Sequence, residues 1–117
     1  MTSLSVLSGG AAQGLVASLA PKFKAQTGFD ITGEFGAVGA MAQKLRQEMP
    51  TDIVILTAAL VAKLAEEKLV VASSIVDVGL VETALAVRQR DPLLMVRDEA
   101  DLRRALLASD AIFVPDT

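Results

Sequence analysis

LSVLSGGAAQGLVASLAPKF, residues 4–23, carries a short apolar segment into paired glycines and then into an alanine-rich helical pattern. Residues 4–8 are typical of a buried strand, and apolar side chains recur at helical spacing over residues 11–26. Pro21 lies inside that pattern and is expected to kink or divide the helix. Gly28 follows in the usual place for a helix stop. The stretch therefore predicts a β-α unit that turns at its glycines.

Two further units repeat this order along the chain. Residues 30–35 predict a strand, and the turn at residues 36–39, GAVG, leads into a helix that Pro50 is expected to end. Residues 52–56 predict a third strand, which is apolar after its first residue as if helices covered both faces. A helix over residues 58–68 follows. Three β-α units in a row predict an α/β fold, a three-layer αβα arrangement with a mainly parallel sheet.

The pattern changes after Ser74. Residues 75–87 are mostly apolar and β-branched, which predicts one long strand or two joined by a bend. Asp98 is the expected N-cap of a fourth helix, and residues 111–114 predict the beginning of another strand. We therefore expect lobe-one β-α units at residues 1–74, a crossing or hinge segment at 75–90, and the start of an incomplete second lobe at 91–117.

Composition excludes several classes of function. The chain has 117 residues, enough for one domain, and its net charge is −3 with the basic residues scattered singly, which argues against nucleic acid as a partner. It contains no cysteine and no histidine, so thiol nucleophiles, histidine bases and most transition-metal sites are ruled out. No catalytic residue, metal ligand or cofactor is predicted, and we do not expect an enzyme.

Localisation is predicted from what precedes the first strand. No apolar run approaches the roughly 20 residues that span a bilayer. Met1-Thr2-Ser3 leads directly into the first strand without a basic or hydrophobic leader region. The sequence as written predicts a cytoplasmic protein, and a periplasmic one if a signal peptide was removed.

The glycine turns are the candidate binding elements. Loops at the carboxyl ends of parallel strands meet at one crevice, and free N–H groups that open a helix there favour an anion. The glycines at positions 9, 10 and 14 do not match a dinucleotide fingerprint, and no lysine precedes Lys22 to form a phosphate loop. The alternative is that β-α turns merely require small residues.

Polar residues near the strand ends have alternatives of their own. Thr57 follows the third strand and is either a hydroxyl that faces the ligand or a helix N-cap. Glu34 and Asp52 are conceivable as an acid/base pair, but nothing in the sequence places them together. We therefore expect both carboxylates to be solvated or capping groups.

Taken together, several segments resemble the molybdate-binding type (type II) of periplasmic solute-binding protein and its relatives among extracellular solute-binding proteins. The resemblance covers essentially the whole chain, and the segments that carry it stand in the same order: LSVLSGGA, LAPKFKAQTG, GEFGAVGAMAQKL, PTDIVIL, LVVASSIVDVGLVETALAVR and DLRRALLASDAIFVPDT. It implies non-catalytic binding of a small anionic solute, a molybdate-like oxyanion or a small organic anion, for an ABC transporter membrane subunit. The ligand-binding positions that it implies are Ser8, Gly9, Gly10, Ala11, Ala37, Val38, Gly39, Thr57 and Ala58.

The chain departs from this family in two respects. The molybdate binders have serine hydroxyls where Ala11 and Val38 stand here, so we expect anion binding without molybdate specificity. Family members also continue well beyond Thr117. The expected explanations are a fragment, two copies that complement each other as a homodimer, or a protein without a closing cleft. The alternative function is a structural or regulatory interaction module that dimerises through unfinished sheet edges and binds no solute.

Overall fold

The computed structural model describes residues 2–114 and shows an α/β fold around a three-stranded parallel sheet. The α/β class predicted from the β-α repeats is confirmed. The strands are β1 (Ser3–Gly9), β2 (Asp30–Gly36) and β3 (Ile53–Ile55). The α-helices are α1 (Gln13–Thr27), α2 (Val38–Arg46), α3 (Ala58–Glu66) and α4 (Glu99–Ala108), and 3-10 turns lie at Gly10–Ala12 and Ala72–Ser74.

The chain separates after Gly79 into two compact units. The first contains the sheet with α1, α2 and α3, and the second, from Leu80 onward, contains α4. The division into residues 1–74, 75–90 and 91–117 stays a prediction. None of the helices between residues 2 and 114 is both long enough and apolar enough to cross a membrane.

β1 is the central strand, with the order β2-β1-β3 across the sheet. Its whole length pairs with β2, from Ser3 opposite Asp30 to Gly9 opposite Gly36, and Ser8 lies opposite Ile55 of β3. The buried hydrophobic side chains of the described residues surround this strand: Val6, Leu7, Met41, Ala42 and Leu64. Two of them come from α2 and one from α3, so helix packing on β1 forms the core.

α1 is one helix that continues through Pro21, so of the kink or division expected there, the division does not occur. Proline removes the hydrogen bond that its N–H would donate to the carbonyl four residues earlier, here that of Ala17. Ala17 and Pro21 lie on an exposed part of the helix, where a water molecule can donate a hydrogen bond to the Ala17 carbonyl instead. The predicted stop is confirmed, because Gly28 adopts a left-handed conformation with φ of 81° and its N–H donates to the carbonyl of Lys24.

α2 ends at Arg46, before the proline that was expected to end it. Glu48 takes a left-handed φ of 62°, and the N–H groups of Glu48 and Met49 turn back to the carbonyls of Leu45 and Lys44. This is the hydrogen-bond pattern of a helix terminus that normally uses glycine. Pro50 therefore follows a stop that the backbone has already made.

Three strand predictions need correction. β3 was expected to be covered on both faces, but none of its three residues is buried and Ile53 is 40% exposed. Residues 75–87 and residues 111–114 were expected to form strands, and neither contains one. β-branched composition favours an extended backbone, yet a strand also needs a neighbour for its hydrogen bonds, and these segments have none among the described residues.

Asp98 is the N-cap of α4, as predicted. The carboxylate of this residue accepts a hydrogen bond of 2.8 Å from the N–H of Asp101. Asp101 is itself buried and pairs with Arg97 and Arg104. Leu102 and Leu106 of this helix are partly exposed, and the acidic Asp101 is the buried residue.

Candidate functional site

The carboxyl ends of the three strands meet at one edge of the sheet. Gly9 and Gly36 are paired neighbours, and Ser8 is paired with Ile55, so the chain leaves all three strands at the same level. Adjacent strands lie about 4.8 Å apart, which brings the turns that follow β1, β2 and β3 within about 10 Å of one another. We call these turns the rim: Gly10–Ala11, Ala37–Gly39 and Thr57–Ala58.

Each turn of the rim opens a helix whose N-terminus has no side-chain cap. The first helical turns after β1, β2 and β3 receive no hydrogen bond from an N-cap side chain, and none carries an acidic residue. The first N–H groups of a helix lack partners within the helix and carry part of the positive end of its dipole. The rim therefore presents several unshared N–H donors with no carboxylate nearby in sequence to neutralise them.

α4 is the natural comparison within the same chain. Its N-terminus is capped by Asp98 and holds Glu99 and Asp101 in its first turn. Negative groups at a helix N-terminus stabilise it by satisfying N–H groups and opposing the dipole. The chain thus supplies these groups at the start of α4 and omits them at the three helix starts that follow the strands.

Gly9 and Val38 bring the first two turns into contact. A Cβ atom on Gly9 would lie 2.8 Å from Cγ1 of Val38, which is closer than two carbon atoms can approach, and 3.9 Å from the carbonyl oxygen of Ile55. Gly9 is therefore required for α2 to begin directly beside the end of β1. The side chain of Val38 fills part of the space between these two turns.

Ser8 is a less direct ligand than its position in the sequence suggests. Its side chain is fully buried in the centre of the sheet, and its hydroxyl donates a 2.8 Å hydrogen bond to the carbonyl of Gly9. A ligand at the rim can receive this proton only if that bond is broken. The hydroxyl of Ser8 thus contributes first to the shape of the turn.

The remaining predicted ligand residues are accessible. Gly10, Ala11, Gly39, Thr57 and Ala58 are all exposed. Thr57 is the N-cap residue of α3 by position, but its hydroxyl makes no capping hydrogen bond. The hydroxyl of Thr57 is therefore available for a ligand. The carbonyl of Thr57 accepts the first hydrogen bond of α3, from the N–H of Val61.

The two carboxylates considered as an acid/base pair have separate partners. The Asp52 carboxylate accepts hydrogen bonds from the N–H and hydroxyl of Ser5, at 2.8 and 3.1 Å, at the end of the sheet opposite the rim. Glu34 pairs with Lys44 and so links β2 to α2. Between residues 2 and 114, no three acidic side chains form a cluster that could hold a metal ion.

Sequence reasoning missed two features of the rim. Gly36 sits beside Gly9 at the end of β2, where a Cβ would meet the methyl group of Met41 at an ordinary contact distance of 3.5 Å. Ala59 and Leu60 complete the free first turn of α3. The runs of small residues at 36–37 and 58–59 were the available signal for both features.

Comparison with known protein families agrees with the observed α/β fold. A family model described as bacterial extracellular solute-binding protein matches residues 4–117, nearly the whole chain. Among curated proteins, none matches significantly. The match extends over both the β-α units and the segment that contains α4. The chain belongs to the family of bacterial extracellular solute-binding proteins.

Proposed function

We propose that this protein binds a small anionic solute at the rim, without transforming it, and presents it to the membrane subunit of an ABC transporter. The ligand class is a molybdate-like oxyanion or a small organic anion. Family membership supports solute binding for transport. The anionic character of the solute is our inference from the chemistry of the rim, and the family's extracellular description supports action outside the cytoplasm.

The observation that carries the proposal is the contrast between helix starts. The three helices that open at the rim have uncapped N-termini free of acidic residues, whereas α4 is capped and acidic at its start. Each exposed helix terminus favours an anion by about 0.3–1 kcal/mol, and by up to about 2 kcal/mol when partly buried. Three such termini directed at one ligand provide useful affinity without lysine, arginine or histidine.

The proposed donors are main-chain groups together with one hydroxyl. The N–H groups of Gly10, Ala11 and Gly39 are the main-chain donors, since that of Gly9 belongs to the paired end of β1, and Thr57 supplies the hydroxyl. Ala37 and Ala58 line the rim with small apolar side chains, which leaves room for the ligand to approach the backbone beside Val38, whose side chain fills part of the space between the first two turns. Ser8 supports the first turn through its bond to Gly9.

Isothermal titration calorimetry against a panel of anions tests this proposal. We expect heat of binding with at least one of molybdate, tungstate, sulfate, phosphate, acetate and succinate. We expect Thr57→Val to weaken the binding about 10- to 100-fold, because a hydrogen bond to a charged group contributes about 1.5–3 kcal/mol.

Thr32→Val is the matched control for this titration. Thr32 is an exposed threonine near the opposite end of β2, so the same change there should leave the affinity within about threefold. Folded protein that gives no heat with any anion of the panel would refute the proposal. The alternative function, an interaction module that binds no solute, predicts this absence of binding heat.

A further inference from the structure

The rim contains a single side-chain donor. Thr57 is the only rim residue whose side chain can donate a hydrogen bond, and none of the rim residues is charged. The neighbouring Ser8 is buried, and its proton already goes to the carbonyl of Gly9 at 2.8 Å. A ligand at the rim can therefore share few donors, and all of them except the Thr57 hydroxyl belong to the backbone.

Apolar side chains occupy the rest of the rim. Cγ1 of Val38 lies 2.8 Å from where a Cβ atom of Gly9 would stand, so this side chain reaches across the gap between the turns after β1 and β2. Val38 is half-buried, which leaves part of its isopropyl group accessible, and Ala11 and Ala58 add exposed methyl groups on the first and third turns. A ligand oxygen placed against these methyl groups loses its water and gains no donor, whereas a hydrocarbon group placed there is stabilised.

The number and direction of the ligand oxygens decide which anion suits this surface. Molybdate, sulfate and phosphate place four oxygens at the corners of a tetrahedron, so an oxyanion held by the backbone donors turns another oxygen toward Val38. An acceptor left there without a partner weakens binding about 5- to 150-fold. A carboxylate has two oxygens on one side and a carbon substituent on the other. Both oxygens can therefore face the donors while the substituent faces Val38.

On the basis of the proposed function of the rim, we propose that its solute is a monocarboxylate with a short apolar substituent, which Val38 selects over tetrahedral oxyanions. The carboxylate oxygens accept hydrogen bonds from the N–H groups of Gly10, Ala11 and Gly39 and from the hydroxyl of Thr57. The substituent lies against the side chain of Val38. Each methylene group that is buried there strengthens binding about fourfold.

Isothermal titration calorimetry of the intact chain with a graded series of sodium salts tests this substrate class. The series is acetate, propionate and butyrate, compared with sulfate and molybdate at equal ionic strength. We expect the affinity to rise about fourfold with each methylene from acetate to butyrate. We expect butyrate to bind about 10-fold or more tightly than either oxyanion. Butyramide, which has nearly the same shape without the charge, is the ligand control and should give no binding heat.

Val38→Thr tests the role of the side chain. Threonine has nearly the shape of valine but replaces one methyl group by a hydroxyl, so it weakens the apolar contact and supplies a donor to an oxyanion. We expect the ratio of butyrate affinity to molybdate affinity to fall about 10-fold or more. Val71→Thr, at a position that is 68% exposed and follows the end of α3, is the matched control and should leave this ratio within about twofold. Circular dichroism confirms that both variants are folded before they are compared.

The outcomes separate this substrate class from the proposed function on which it rests. An oxyanion that binds as tightly as butyrate, an affinity that does not change from acetate to butyrate, butyramide that binds like butyrate, or a ratio unaffected by Val38→Thr would each overturn the monocarboxylate assignment. Anion binding at the rim would survive each of these results. Folded protein that gives no heat with any of the five anions would instead remove anion binding itself, and the monocarboxylate assignment with it.

Discussion

Replacing Ala11 and Val38 together by serine is expected to raise the affinity for molybdate about 100- to 10,000-fold. The resemblance to molybdate binders places serine hydroxyls at these two positions, and the structure puts both residues at the rim. Each new hydroxyl can donate one hydrogen bond to a charged oxygen, worth about 1.5–3 kcal/mol. Two such bonds correspond to two to four powers of ten in the dissociation constant. Calorimetric titration of molybdate into parent and double variant measures the change.

Val38→Ser also removes the methyl group that lies beside Gly9, which opens the space between the first two turns. The matched control introduces serine at Ala17 and Ala62, two exposed alanines of α1 and α3, and should leave molybdate binding unchanged. An affinity within threefold of the parent for a folded Ala11→Ser, Val38→Ser protein would mean that molybdate does not contact these turns. The assignment of the rim as an oxyanion site would then fail.

Leu7→Ala is expected to lower the free energy of unfolding by about 2–5 kcal/mol, the usual range for a buried leucine. Leu7 is 2% exposed on the central strand, with Glu34 of β2 on one side and Val54 of β3 on the other. Truncation leaves a cavity that the paired strands cannot close, because β1 is fixed from both sides. The total free energy of unfolding of a domain is about 5–15 kcal/mol, so this loss is a large share of it.

Urea unfolding followed by circular dichroism measures this loss, since the chain has no tryptophan or tyrosine for fluorescence. Leu19→Ala is the control: it lies half exposed on α1, and both residue types favour helices, so we expect a loss below about 1 kcal/mol. Equal losses for the two variants would contradict the placement of β1 at the centre of the core.

Local sequence signals predicted the β-α units that form the rim and several helix ends elsewhere in the chain. The three β-α units, the left-handed stop at Gly28 and the cap at Asp98 all depend on residues close together in the chain, and each was found. The convergence of the turns also followed from sequence, because consecutive parallel strands must place their carboxyl ends at one edge.

Features that depend on distant contacts could not be predicted in this way. The contact of Val38 with Gly9 depends on how α2 crosses the end of β1, and the inward bond of the Ser8 hydroxyl depends on its burial between two strands. Residues 75–87 have the composition of a strand, but pairing requires a neighbour that composition does not specify. The exposed edge at β3 has the same origin, since the sequence shows an apolar strand but not its position in the sheet.

Amide chemical shifts test most directly whether main-chain donors at the rim bind an anion. ¹⁵N-labelled protein would be titrated with sodium molybdate and, separately, with sodium acetate, and the ¹H–¹⁵N spectrum recorded at each step. We expect the amide signals of Gly10, Ala11, Gly39 and Ala58 to move in a saturable way with at least one of the two anions, while that of Glu99, at the capped start of α4, stays in place. Rim signals that remain fixed with both anions, or that move no more than that of Glu99, would contradict anion binding by these three turns.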